Sequence, residues 1–145
     1  MLVVKKGDLF AEAEDNCILM HGCNAMGVMD SGVAKEVKAR WPYAFRRYVN
    51  SRRELGTVSY HELQDGLVIA NAITQRDYGY AGKQYVQYPA VGACCMAVAS
   101  FAKGRRLPIH LPLIGGGYGG GNAATLLRIF EKAFEDVDAT LWMPK

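Results

Sequence analysis

Apolar runs of strand length alternate along this chain with stretches whose apolar positions recur every three or four residues, predicting strands interleaved with helices. Leu2–Lys5 reads as a short strand closed by Gly7-Asp8, and Cys17–Gly22 as a second. Asn24–Gly32 holds two glycines among small residues and reads as a loop. Ser31 is placed to cap a helix on which Val33, Val37, Trp41 and Phe45 share a face. Pro42 should end or kink that helix and open a short second one, Pro42–Ser51. Thr57–Glu62 and Gly66–Ala72 read as two strands around the turn Gln64-Asp65-Gly66. Ile73–Lys83, polar and aromatic, reads as a loop, and Tyr88–Gly104 as a helix with a buried face. Leu107–Ile114 reads as a strand, although Pro108 and Pro112 favour an edge or a strand start. Gly115–Gly121 is nearly pure glycine. Asn122–Asp136 is an amphipathic helix with Leu126, Leu127, Phe130 and Phe134 on one side, and Ala139–Met143 is a closing strand. The order predicts one α/β domain over residues 1–145: a mixed sheet with one antiparallel pair, sandwiched between helices.

Composition narrows the function classes. With 17 basic and 14 acidic residues the formal charge is +3, mildly favourable for an anionic ligand. That balance is too weak to declare a nucleic-acid binder, so nucleic acid is not an expected partner. Arg46, Arg47, Arg52 and Arg53 form a basic cluster that reads first as a solvated face and second as a contact for RNA or another polyanion. The four cysteines, Cys17, Cys23, Cys94 and Cys95, include no C-x-x-C pair and no zinc spacing with histidine; neither metal nor cofactor is expected. Adjacent Cys94 and Cys95 lie in an apolar run and read as buried thiols of a reducing compartment. No apolar stretch approaches the ~20 residues of a membrane helix, and the N-terminal run is too short for a leader, so a cytoplasmic location is expected. His61 reads as an exposed histidine of a polar strand, and His110, between apolar residues, as a core or sheet histidine. Tyr78, Tyr80, Tyr85 and Tyr88 make an aromatic segment suited to stacking or to surface packing.

The strongest chemical signal is Ile114-Gly-Gly-Gly-Tyr118-Gly-Gly-Gly-Asn122, between a strand and a helix. Such a run lets main-chain N–H groups converge on an anion, helped by the dipole of a helix beginning at Asn122. Gly115, Gly117 and Gly120 match G-x-G-x-x-G, but a dinucleotide fold carries that motif in its first βαβ unit, and here only a helix and a strand follow. A Walker A loop ends in Gly-Lys-Ser/Thr; this one ends in Gly121-Asn122-Ala123. His21-Gly-Cys-Asn24-Ala-Met-Gly27-Val-Met-Asp30-Ser-Gly32-Val-Ala34 is a second strand–loop–helix junction. Two such loops on one sheet edge can face each other across a cleft.

Gly7-Asp8-Leu9, then Asn24…Gly27…Ser31-Gly32-Val33-Ala34, then Gly115–Gly121 resembles the macro-domain family over most of the chain. Ile18-Leu-Met-His-Gly-Cys-Asn24, Arg40-Trp-Pro42 and Ala70-Asn-Ala-Ile-Thr-Gln75 are most similar to its ADP-ribose 1″-phosphate phosphatase branch. The resemblance implies a three-layer α/β/α fold binding ADP-ribose or its 1″-phosphate, free or on a protein. It implies that Asp8 accepts from the adenine amino group beside Leu9 and that Asn24 contacts the distal ribose. Gly32, Val33 and Ala34 would line the diphosphate. Ile114, Gly115, Gly116, Gly117 and Gly119 would cradle the phosphates. Tyr118 would pack on the distal ribose, and Gln75 would border the cleft. His21 would be the catalytic general acid or base, with Asp30 and Asn24 beside it; Asp30 could equally cap the following helix. The implied reaction is hydrolysis of ADP-ribose 1″-phosphate to ADP-ribose and phosphate. The alternatives are a non-catalytic reader or a hydrolase of another ADP-ribose linkage, to protein or to an acyl group. A lysine-adduct mechanism used elsewhere in the family is not expected, since Gln75 and Gly119 stand where its lysine and aspartate would be.

Overall fold

The computed structural model describes all residues, Met1–Lys145. Six strands, β1 (Leu2–Lys6), β2 (Ile18–Asn24), β3 (Val58–Glu62), β4 (Val68–Gln75), β5 (Ile109–Leu111) and β6 (Ala139–Met143), form one sheet in the order β1-β6-β5-β2-β4-β3. Only β3 runs antiparallel, against β4. Helices α1 (Leu9–Glu12), α2 (Gly32–Arg40) and α3 (Pro42–Val49) cover one face of the sheet, and α4 (Tyr88–Arg105) and α5 (Ala123–Ala133) the other. The result is the expected three-layer α/β/α sandwich.

Strand periodicity separates the two cores. Ile18 and Met20 point toward α4 and α5, where they meet Cys94, Val98, Phe130 and Phe134. Leu19 and Ile69 point the other way, toward Val37, Ala44 and Tyr48. β4 is buried from Val68 to Thr74, as a strand covered on both faces must be. That continuity carries it through Ile73 and Thr74 to Gln75, so the expected loop begins only at Arg76.

Other boundaries move for identifiable reasons. The strand expected over Leu107–Ile114 shrinks to Ile109–Leu111, because the flanking Pro108 and Pro112 have no N–H for a ladder. Pro42 opens α3 at its first turn, where no intrahelical donor is missed. Asn122 lies just outside α5, its side chain accepting from Thr125 N at 3.0 Å, and the helix stops at Ala133. His110 is the expected sheet histidine, its Nδ1 accepting from Trp142 Nε1 at 2.8 Å. His61 departs from expectation: it is only half-exposed and its Nδ1 is buried. All four cysteines are buried and free, and no helix is long and apolar enough to cross a membrane.

Candidate functional site

The chain leaves β1, β2, β4, β5 and β6 at one edge of the sheet, and the segments that follow enclose a cleft of about 1160 Å³. Clefts beyond the carboxyl ends of parallel strands are the usual ligand sites of open α/β sheets. Gly22, Thr74 and Ile114 form part of its floor; a Cβ on Gly22 would stand 2.7 Å from Ile114 Cγ2 and displace it.

The first wall is the loop after β2, and side chains shape it. Asn24 Nδ2 donates to Val28 O at 2.9 Å, while its Oδ1 accepts from Met26 N at 3.0 Å and Val28 N at 3.3 Å. The buried Tyr48 hydroxyl donates to Asn24 O at 2.6 Å, lies 2.9 Å from Asn24 Oδ1, and accepts from Gly27 N at 3.1 Å. Arg53 Nε donates to Ala25 O at 3.1 Å. The loop ends at the N-terminus of α2, where the Ser31 side chain caps nothing. The N–H groups of Gly32, Val33 and Ala34 therefore donate to no protein acceptor and border the cleft. An open helix N-terminus is an anion site.

The second wall is the glycine loop, held by its own main chain. Gly121 N donates to Gly115 O at 2.7 Å and Gly120 N to Gly117 O at 3.1 Å. Tyr85 N and Val86 N both donate to Gly119 O, at 2.7 and 3.0 Å. Gly116 N turns back to donate to Leu113 O at 3.0 Å, so this residue lines the cleft without offering its N–H to a ligand. The N–H groups of Gly115, Gly117, Tyr118 and Gly119 have no protein acceptor, and all four residues line the cleft. The glycine loop thus presents four open N–H groups, with Gly116 as a structural turn among them. The helix dipole at the cleft belongs to α2. Asn122, at the start of α5, is not a lining residue and satisfies its own helix, which corrects the expectation for that terminus.

Of the expected binding residues, Asp8, Leu9, Asn24, Gly32, Val33, Ala34, Gln75, Ile114, Gly115, Gly116, Gly117, Tyr118 and Gly119 all line this one cleft, as does Asp30. Asp8 accepts from Phe10 N at 3.0 Å as the cap of α1 and keeps its second oxygen free. Gln75 Nε2 donates to Asp77 O at 2.8 Å. Tyr118, 63% exposed, meets Tyr80 edge-on with ring centroids 4.6 Å apart. Asp30 has a side chain 65% exposed, with Lys38 Nζ 3.8 Å away. The lining carboxylates are Asp8, Asp30 and Glu36, and its only cationic side chain is Lys145. The donors on the two walls are therefore main-chain N–H groups.

His21 is the exception. It is fully buried and does not line the cleft. Strand alternation turns it toward α3, where Nε2 lies 2.6 Å from Asn71 Oδ1 and Asn71 Nδ2 donates to Ala44 O at 3.2 Å. Burial pushes its pKa down to about 4, partly offset by the bond to Asn71, so the ring is neutral at physiological pH. It is a core histidine that reaches no surface of the cleft. Cys23 does reach the cleft wall, but burial pushes its thiol well up, so it is no thiolate nucleophile. Sequence reading missed Phe10, Thr74 and Trp142 as lining residues, and Tyr48 and Arg53 as supports of the first loop. Nothing in the local pattern distinguishes these from ordinary core or surface positions.

Solved structures share this architecture. A protein of unknown function from Bacteroides thetaiotaomicron aligns with a TM-score of 0.85 at 26% identity, over 100% of this chain and 98% of that one. The macrodomain of Mycobacterium tuberculosis DarG aligns at 0.84 and 23% identity, over 100% and 99%. Thermosipho africanus DarTG, solved in complex with ADP-ribose, aligns at 0.84 and 16% identity, over 99% of this chain and 41% of that one. No family model and no curated protein matches the sequence. The chain has the macrodomain fold.

Proposed function

We propose that the cleft binds ADP-ribose, free or as the ADP-ribosyl group of a larger molecule. The observation that carries this reading is the pair of facing N–H rows, Gly32–Ala34 on one wall and Gly115 with Gly117–Gly119 on the other, unpartnered within the protein. Two such rows match a diphosphate, whose charges neutral donors can hold without a metal or a lysine. Asp8, at the end of β1, offers a free carboxylate oxygen to an exocyclic amino group such as that of adenine. Tyr118 supplies an exposed ring for the sugar at the other end. The Thermosipho protein, 41% of which aligns with this chain, was solved in complex with ADP-ribose, which supports the same choice.

Hydrolysis of ADP-ribose 1″-phosphate is the finer reading, and without His21 it needs another base. Asp30, an exposed cleft carboxylate on the loop before α2, is the group we assign to activate water. Calorimetry with ADP-ribose tests binding, and a phosphate-release time course with ADP-ribose 1″-phosphate tests turnover. Binding by the unmodified protein is expected; its absence overturns the proposal. Release that disappears in Asp30→Asn while binding survives assigns the phosphatase reaction, and binding without release assigns a reader or a hydrolase of an acyl or protein linkage.

A further inference from the structure

The four clustered arginines separate once the chain is folded. Arg53 turns inward, donating to Ala25 O and Val49 O, and Arg52 pairs with Glu54 at 3.3 Å. Arg46 and Arg47 meet no carboxylate within ion-pair distance. With Tyr43, Asn50, Ser59 and His61 they line a groove of about 510 Å³ between α3 and the edge strand β3. No acidic residue lines it, and it shares no lining residue with the cleft.

Two details point to a ligand. His61 lines the groove, and its Nδ1 is buried without a hydrogen-bond partner in the protein. Burial and the Arg47 cation lower the pKa of this imidazole, and an anion beside the Arg47 guanidinium would offset the second of these. The Arg46 guanidinium carbon lies 5.3 Å from the Tyr43 ring centroid, and Tyr43 is 64% exposed, which leaves ring surface open. Guanidinium forks match phosphate oxygens, and an open ring beside them is a stacking surface for a base. The overall charge of +3 obscured this: two unpaired cations beside a low-dielectric groove concentrate potential locally.

We propose that this groove is a second binding site, for the backbone and one base of single-stranded nucleic acid. Arg46 and Arg47 take phosphate oxygens, and Tyr43 stacks the base. Phosphate alone would leave the tyrosine unused, and a phosphorylated peptide would bring no base to it.

Fluorescence anisotropy with a labelled single-stranded oligonucleotide over a salt series tests this, alongside NMR of the His61 ring. The unmodified protein is expected to bind with salt-sensitive affinity and to shift the His61 signals. Arg46→Gln with Arg47→Gln should make the slope of log K against log salt shallower by about 1.4, since each single-strand phosphate contact contributes about 0.7. Tyr43→Ala should weaken binding about tenfold and leave the slope unchanged. Thermal unfolding and ADP-ribose calorimetry on each variant check that fold and cleft are intact, because no altered residue lines the cleft. An unchanged slope in the double variant overturns the proposal. So does an oligonucleotide that binds no better than inorganic phosphate, or a phosphoserine peptide that binds as tightly.

Discussion

The two walls of the cleft do the same job by opposite means. The first loop is fixed by side chains: Asn24 bonds along it, and Tyr48 from the core and Arg53 from the segment after α3 hold it. The second is fixed by the absence of side chains, its turns closing on Gly115, Gly117 and Gly119 carbonyls. A loop built from side chains spreads its geometry over residues far apart in sequence. A loop built from glycine confines it to one short run, where backbone entropy is the cost of letting a ligand touch the main chain. Substitutions should therefore damage the second wall abruptly and the first by degrees.

The largest effect is expected at Gly120. Its φ is +72°, and a Cβ there would stand 2.3 Å from Lys83 O, backbone that cannot swing aside. Gly120→Ala should cost about 3 kcal/mol of stability in urea unfolding, from left-handed strain and displaced chain together, and should abolish ADP-ribose binding. Gly117, in the same loop, has ordinary φ and open space at its Cβ position. Gly117→Ala should change stability by less than about 0.5 kcal/mol. Equal losses at both positions would mean that glycine content, not this geometry, sets the wall.

The first wall has a buried histidine beneath it. His21 sits in β2, with a folded pKa of about 4 against an ordinary 6.5. Between those values the unfolded chain binds more protons than the folded one, so stability rises with pH across the window. The contribution is fully present above about pH 6.5 and is lost as pH falls toward 4. Between about pH 7.5 and pH 5 the loss is about 2 kcal/mol from this group. His21→Gln keeps a polar partner for Asn71 and removes the titration, so its stability should fall by that much less over the same range. Amide exchange should rise at Asn24–Val28 before Gly115–Gly121 as the pH is lowered. A variant that loses stability as steeply as the parent would assign the acid sensitivity elsewhere.

The same contrast explains what the sequence made legible. The glycine wall is local: Gly115–Gly121 is visible as a run, and its meaning needs only the strand before it and the helix after it. What the run could not reveal is the division of labour within it, where Gly116 spends its N–H on Leu113 while its neighbours keep theirs open. The layers were legible too, because β2 and β4 are apolar runs of strand length and α5 carries a helical periodicity. The first wall was legible only where its residues are contiguous, Asn24 to Ala34. Its supports come from α3 and the segment after it, and no pattern in those segments marks a tyrosine that bonds to a loop rather than fills a core. His21 shows the limit most clearly. Its position beside Asn24 resembled a catalytic arrangement, but the pleat of β2 sends alternate side chains to opposite faces, and the register with Asn71 seals it under α3.

Tyr48→Phe isolates the first wall's mechanism with the smallest change. The ring stays packed among Val37, Ala44 and Ile69, and only the hydroxyl goes. Asn24 keeps its bonds to Val28 and Met26, but Gly27 N loses its acceptor, and the Asn24 carbonyl loses its donor. Leaving part-buried polar groups unpaired should cost about 1.5 kcal/mol. The effect should be concentrated in the loop, with amide protection lost at Gly27 and retained along β2 and β4. Because the loop carries the chain into the open end of α2, ADP-ribose should bind about tenfold more weakly. A variant that loses stability but keeps full affinity would show that the α2 donors hold their place without the loop, leaving Tyr48 with a role in folding alone.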